Sequence, residues 1–278
     1  MVRIQRILRD SIRIFLENNC FNMAAAISFF AFFSLIPILF LIISALGFFL
    51  GARSDIFERV VDMAKISLPY LSGGIIADLK GLMAAWKTFG WFSLIVLMLS
   101  AELVLNAVAD ALIAIFNVHE SYGFFRKRVI NAFVILLAIF AAFISIMVTA
   151  VVHIIESVDI TVMGIDLTHY VFESLVIQYL FPFAVVVAAV TLVFKIFSGS
   201  GLRLRYAFYG AVLFAFLWEV AKQGFALYLY YFPTYNRFYG SVGTIMVLLI
   251  WMFFSAAIFL FSASVAKAAF QGFYWKNI

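Results

Sequence analysis

One long uncharged stretch decides the fold. Residues Ala24–Leu50 read AAAISFFAFFSLIPILFLIISALGFFL and contain no Asp, Glu, Lys or Arg. A transmembrane helix needs roughly 20 mostly apolar residues, because each residue rises about 1.5 Å and the hydrocarbon core is about 30 Å thick. The stretch is therefore predicted to cross a membrane as a helix. Its apolar residues are continuous and do not alternate, which argues against a strand of a membrane barrel.

The rest of the chain repeats this pattern. Of its 278 residues 67% are apolar and 12% are charged, whereas soluble domains have about 45–50% and about 25%. A soluble fold could not bury so much apolar surface. We predict an all-α, polytopic membrane helix bundle that forms a single integral membrane domain over residues 1–278. Its six predicted spans are about 24–50, 89–116, 129–155, 172–197, 206–231 and 240–270.

The basic residues predict the orientation. Six spans place most of them on one side, namely Arg3, Arg6, Arg9, Arg13, Arg126, Lys127, Arg128, Arg203, Arg205 and Lys276. The positive-inside rule assigns that side, with both chain ends, to the cytoplasm. The first connection, about Gly51–Thr88, conflicts with the rule because it has five basic residues on the outer side. The other segments outside the spans agree with the rule, so both chain ends are still predicted to be cytoplasmic.

Two segments outside the spans have helical apolar periodicity. In the N-terminal segment 1–18, the four arginines oppose Ile4, Leu8, Ile12 and Phe15. This pattern is typical of an amphipathic helix on an anionic inner leaflet. The first connection is predicted to form two short amphipathic helices, which either lie on the outer membrane surface or pack as a connector.

Two spans contain ionisable residues, which cost at least about 2.5–3.5 kcal/mol each at the centre of a membrane unless they are paired or hydrated. In the second span Glu102, Asn106 and Asp110 recur every four residues and therefore form one stripe. In the fifth span Glu219 and Lys222 are three residues apart and can pair on one face, with Gln223 beside them. We predict a polar pocket between these spans in which Lys222 neutralises Glu102, Glu219 or both. Interhelical contact without function remains the alternative.

The segment before the last span has an unusual composition. Its members are Tyr235, Arg237, Tyr239, Gly240 and Gly243, and they are predicted to form an aromatic turn at the outer interface. Arg237 could instead contact a lipid headgroup there. Within the last span, Ser262 and Ala266 are small residues one turn apart, which suits close helix contact.

Other classes of site have little support in the sequence. The single cysteine, Cys20, excludes an internal disulfide, and three scattered histidines do not form a metal site. The net charge of +5 is spread along the flanks of apolar runs, so a nucleic-acid partner is not expected. We predict no cofactor and no enzymatic activity. The expected partners are the bilayer and its anionic headgroups, and a homo-oligomer is compatible with the sequence.

Two motifs resemble the YihY/BrkB family of bacterial inner-membrane proteins. The first is Ala24–Pro37, and the second is Tyr239–Gly243 followed by Leu248-Leu249-Ile250-Trp251 and Ser255. Asp110–Arg128 is also similar to the family's second connection. The resemblance implies six helices in the inner membrane and a link to serum resistance or to envelope lipid or ion transport. Members formerly had the mistaken label ribonuclease BN. Here Ser262–Val265 replaces the family's Gly-Ala-Glu-Leu element, so any role of that acid does not carry over.

Three functions follow from these observations. The polar residues within the spans and the resemblance favour a transport-type protein for an ion, a small solute or an envelope lipid component. A scaffold or envelope assembly factor without transport is the alternative. A membrane-bound ribonuclease is the remote third, because the chain has neither a clustered metal site nor a soluble domain to hold RNA.

Overall fold

The described part of the chain is almost entirely helical. A computed structural model describes residues 2–50, 86–118, 129–130, 133–134, 161–162, 165–166, 180–199, 201–231 and 235–274. Its helices within these ranges are α1 (Val2–Glu17), α2 (Cys20–Leu50), α3 (Trp86–Phe116), α4 (Phe181–Phe197), α5 (Leu204–Tyr231) and α6 (Tyr235–Tyr274). Two strands of two residues each, β1 (Thr161–Val162) and β2 (Ile165–Asp166), pair antiparallel in the described part of the chain, and Thr161 lies opposite Asp166.

Four of the helices in the described ranges are long and apolar enough to cross a membrane. Their apolar segments are Cys20–Ile42, Gly90–Phe116, Leu204–Tyr228 and Ile245–Gly272, and these helices overlap the first, second, fifth and sixth predicted spans. Helix α4 is apolar but has only 17 residues. It covers the end of the fourth predicted span, and residues 172–179 and most of the third span lie outside the described ranges. The chain is thus a membrane protein with several apolar helices, and the total of six spans stays a prediction.

The chain divides into two compact units, and the prediction of a single domain is not tested. The smaller unit is Phe29–Val104, and the larger unit comprises Met1–Ser28 and Leu105–Ile278. Within the smaller unit α2 and α3 approach closely at Gly90, where an added Cβ would lie 2.6 Å from the Ser44 Oγ. The predicted amphipathic helices of the first connection lie outside the described residues.

Aromatic and small side chains join the helices of the larger unit at one end. The ring of Phe194 in α4 is fully buried, with its centroid 6.1 Å from that of Phe116 at the end of α3 and 5.1 Å from that of Phe259 in α6. At Gly210 in α5 an added Cβ would lie 2.8 Å from the Ala266 Cβ. The end of α3, the end of α4, the start of α5 and the C-terminal half of α6 therefore meet at this end.

The same contact confirms the predicted role of two small residues. An added Cβ at Gly210 would also lie 2.9 Å from the backbone oxygen of Ser262. The Ser262 hydroxyl donates to the Ile258 carbonyl at 2.8 Å within its own helix, so it does not need a partner across the interface. Ser262 and Ala266 therefore let α5 and α6 approach closely, as expected from their size.

Helix α1 is present as predicted, and the structure divides its apolar residues between two surroundings. Ile7, Ser11, Ile14 and Phe15 face other helices of the larger unit, and the Phe15 ring lies 6.0 Å from that of Phe261 in α6. Leu8 and Ile12 belong to the predicted apolar face and are exposed, so contact of that face with a lipid leaflet stays a prediction. The hydrophobic pattern of a helix cannot separate the apolar residues that contact protein from those that contact lipid.

A break separates α1 from α2. Asn19 has a φ of 51°, in the left-handed region that asparagine tolerates better than most residues. The backbone N–H and the side-chain amide of Asn18 both donate to the Ile14 carbonyl, at 3.2 Å and 2.7 Å, near the end of α1. The apolar span of α2 then begins at once, at Cys20.

The predicted outer turn is wrong. Helix α6 begins at Tyr235, so Arg237, Tyr239, Gly240 and Gly243 belong to its first turns. A glycine inside a helix costs about 1 kcal/mol relative to alanine. An open turn at the membrane would leave several backbone groups without hydrogen bonds, which costs more. The helix therefore continues through both glycines and reaches 40 residues, or about 60 Å.

Candidate functional site

The candidate site is an ion pair near the middle of α5. The Nζ of Lys222 lies 2.6 Å from the Oε2 of Glu219, as the spacing of three residues predicts. Glu219 lies about 22 Å and Lys222 about 27 Å along a helix that is about 42 Å long. In a helix that crosses a bilayer, the middle lies far from both surfaces and a charge costs most there.

An indole ring contacts the ammonium of this pair. The Nζ of Lys222 lies 5.2 Å from the centroid of the Trp218 ring, a distance at which the ring attracts a cation. The Trp218 Nε1–H donates to the Ser255 Oγ of α6 at 3.4 Å, a long hydrogen bond. Lys222 therefore has an anionic partner and an aromatic partner on α5, and Trp218 links this group to α6.

Further rings line the contact between α5 and α6 on both sides of this group. The Phe225 and Trp251 rings stack at 4.6 Å, about one turn beyond Lys222. Towards the start of α5, the Phe214 ring stacks on Trp218 at 6.0 Å and meets Phe259 edge-on at 5.5 Å. The ion pair thus lies beside an aromatic seam, which we define as Phe214, Trp218, Phe225, Trp251 and Phe259.

The pair is accessible from outside the protein. The side chains of Lys222 and Glu219 are 42% and 45% exposed, and the adjacent Gln223 is exposed. Their mutual attraction removes part of the cost of placing two charges within a span. The exposed remainder is suited to contact with water, with a polar solute or with a lipid headgroup.

The polar stripe of the second span lies on α3, and its relation to the ion pair is not tested. Glu102 and Asn106 are half-buried and Asp110 is exposed. Each of the three has an interacting partner. Glu102 belongs to the smaller unit, whereas Glu219 and Lys222 belong to the larger one. The pairing of Lys222 with Glu102 therefore stays a prediction.

Neither Trp218 nor Ser255 was predicted to belong to the site, although a signal was present for Trp218. Trp218 precedes Lys222 by four residues, a spacing that places two side chains on one helix face. Ser255 gave no comparable signal, because its partner is 37 positions away. Among the residues that the structure describes, no group of three His, Cys, Asp or Glu side chains could hold a metal ion.

A family model matches almost the whole chain. The model described as virulence factor BrkB matches residues 11–273. The chain belongs to the BrkB family. This confirms the resemblance found in Ala24–Pro37 and in the last span.

Individual relatives agree with this assignment. A UPF0761 membrane protein of Xanthomonas campestris pv. campestris is 26% identical over 263 residues, which are 92% of this chain and 59% of the relative. One of Xanthomonas oryzae pv. oryzae is 26% identical over 93% of this chain and 60% of its own length. One of Idiomarina loihiensis is 40% identical over 72 residues, or 26% of this chain and 25% of the relative.

The comparisons assign a membrane protein and no activity. The chain spans about three fifths of the length of the Xanthomonas relatives, and the names of the three relatives contain no enzyme. No solved structure matches the chain.

Proposed function

We propose that this BrkB-family chain is a transport-type protein of the bacterial inner membrane. It moves an ion, a small solute or an envelope lipid component through a polar pocket beside Glu219 and Lys222. The observation that carries the proposal is the half-exposed ion pair at the middle of an apolar helix. Charged residues at such a depth are typical of substrate and ion pathways.

The surroundings of the pair support this role. The Trp218 ring and the Glu219 carboxylate hold the Lys222 ammonium in place, so a cation is positioned within the span before any substrate arrives. A positioned ammonium can bind a carboxylate, a phosphate or another anionic group, and Glu219 can receive the positive part of a zwitterion. Gln223 adds an exposed polar side chain beside the pair.

The proposed topology has six spans with both ends in the cytoplasm. The ends of α3 and α4, the start of α5 and the C-terminal half of α6 meet at one end of the larger unit, and α1 packs there too. This arrangement supports one common side for the basic residues of α1 and for Arg203 and Arg205. The positive-inside rule then assigns that side to the cytoplasm.

Reconstituted vesicles provide the test. One set contains a pH-sensitive dye and reports proton flux under a potassium diffusion potential. A second set contains a fluorescent phospholipid and reports its movement between leaflets by chemical reduction of the outer probe. We expect wild-type protein to exceed empty vesicles in one of the two assays and Lys222→Met to lose that activity.

A second ion pair supplies the matched control. Arg13 and Glu17 pair at 3.3 Å on α1 and are 68% and 62% exposed, so Glu17→Gln removes an ion pair outside the spans and should keep the activity. Wild-type protein with no activity in either assay would contradict proton and phospholipid transport, and Lys222→Met with full activity would contradict the role of the ion pair.

A scaffold or envelope assembly factor is the second candidate. The ion pair lies within a single helix, and mutual neutralisation alone would explain its presence there. The scaffold role predicts vesicles without flux and a Lys222→Met protein that folds less well. The transport role predicts a Lys222→Met protein that folds normally and is inactive, so a thermal unfolding curve separates the two.

The absence of an enzymatic role is part of this proposal. A ribonuclease acting with a metal ion would need clustered acidic or histidine ligands and a surface for RNA. The observed cation and indole are suited to binding, and no hydrolytic step follows from them. Purified protein incubated with RNA and divalent cations should leave the RNA intact.

A further inference from the structure

Helix α1 has more apolar surface than its contact with α6 uses. Its buried side consists of Ile7, Ser11, Ile14 and Phe15. Leu8, Ile12 and Leu16 are 51%, 45% and 55% exposed. We define these three residues as the α1 strip. Water disfavours such a row of large apolar side chains, so a second apolar medium is expected to cover it.

The α1 strip lies between the buried side and an arginine row. Each residue of a helix advances by about 100°, so Leu8 follows Phe15 by about 20° around α1, and Arg9 follows Leu16 by about 20°. Arg6 and Arg13 lie beyond Arg9, and all three arginines are exposed. Around the helix, the order is therefore protein contact, apolar strip and cations. An interfacial helix with acyl chains on one side and headgroups on the other has this order.

The position of α1 in the chain identifies the apolar medium as lipid. The apolar span of α2 begins at Cys20, three residues after α1 ends. Phe15 in α1 packs on Phe261 in α6, and Tyr206 in the first turn of α5 packs on Phe270 in α6 at 5.6 Å. Arg203 and Arg205 flank the start of α5 and are exposed there. Cations from α1 and α5 therefore belong to the end of the larger unit where spans begin and end.

We propose that the α1 strip rests at the headgroup–acyl boundary of an anionic leaflet while Arg6, Arg9 and Arg13 bind the lipid phosphates. The strip supplies apolar burial, and the arginine row supplies the preference for anionic lipid. Arg13 also pairs with Glu17, but an exposed pair of this kind is weak and a phosphate can displace it. The proposal does not depend on transport by the chain.

Depth-dependent quenching in vesicles tests the position of the strip. Full-length Ile12→Cys and Glu17→Cys proteins are labelled with a small thiol-reactive fluorophore. Wild-type protein gives the blank, because Cys20 is fully buried. In vesicles that contain phosphatidylglycerol, spin-labelled acyl chains should quench position 12 about twofold or more above position 17, since the two positions lie about 140° apart around α1. Equal quenching at both positions would overturn the proposal.

A charge series tests the phosphate contact. In the Ile12→Cys protein, adding phosphatidylglycerol to phosphatidylcholine vesicles should increase the quenching. The triple variant Arg6→Gln/Arg9→Gln/Arg13→Gln should lose this increase, and the matched triple lysine variant should retain most of it because the charge is kept. An unchanged lipid response in the glutamine variant would overturn the proposal. So would disulfide-linked dimers through position 12 without quenching by lipid, because a second copy would then cover the strip.

Discussion

The contact between α5 and α6 differs along its length. At the end where helix termini meet, Gly210 faces Ala266 and the Ser262 backbone, and there is no space for even one added carbon. Towards the middle, rings of the aromatic seam and the Trp218–Ser255 hydrogen bond make the contact. The ion pair lies beside this aromatic part. Close backbone contact holds the two helices together at one end, which allows bulky and polar side chains to occupy the middle.

The largest effect is expected at the close contact. Gly210→Ala places a carbon 2.8 Å from the Ala266 Cβ and 2.9 Å from a backbone oxygen, and neither atom is at the end of a flexible side chain. We expect a loss of about 1–3 kcal/mol in the free energy of unfolding, measured by thermal or denaturant unfolding in detergent.

Gly224 on the same helix is the matched control. An added Cβ at Gly224 has no atom within 4 Å, so Gly224→Ala should leave stability unchanged or raise it by up to about 1 kcal/mol through helix propensity. Equal losses in both variants would show that the loss at Gly210 does not come from its close contact with α6.

The ion pair should contribute less to stability than the close contact. Both side chains are more than one third exposed. Water in the proposed pocket would screen the pair, so we expect a coupling energy of about 1 kcal/mol or less. A double-mutant cycle of Glu219→Gln and Lys222→Met, followed by unfolding in detergent, measures this coupling. A coupling energy as large as the Gly210→Ala loss would identify the pair as a structural element and favour the scaffold.

The smallest effect is expected at the link between the helices. Ser255→Ala removes the acceptor of a long hydrogen bond from Trp218, and the indole is only half-buried. We expect a loss of about 0.5 kcal/mol in the free energy of unfolding, together with a change in Trp218 fluorescence. Because Trp218 also contacts Lys222, the flux that the vesicle assay measures should fall although the protein stays folded. An unchanged flux would argue against a role for Trp218 in positioning the cation.

Much of the fold was predictable, and so was one part of the site. Uninterrupted apolar runs predicted the four long spans, because the length of such a run is set by the thickness of the bilayer. The Glu219–Lys222 pair followed from a spacing of three on a helix. Both are local properties, since they depend on residues close together in the chain.

Contacts between distant residues could not be predicted in the same way. The buried side of α1 depends on where α6 lies, so the apolar residues Ile7 and Leu8 are neighbours in the chain with different surroundings. The helical state of Gly240 and Gly243 depends on backbone hydrogen bonding at the membrane, which outweighs the local preference of glycine for turns. The Trp218–Ser255 contact joins residues from different helices.

The sequence by itself determined that this is a membrane protein, because only lipid accommodates uncharged apolar runs of this length. It also determined that two opposite charges share one face of α5. Only the tertiary structure decided that α5 and α6 approach closely at Gly210. It also decided that Trp218 lies against the Lys222 ammonium and donates a hydrogen bond to α6, and that the α1 strip is not buried by the rest of the protein. The physical reason is that helix periodicity fixes which residues share a face, whereas packing between helices fixes what each face contacts.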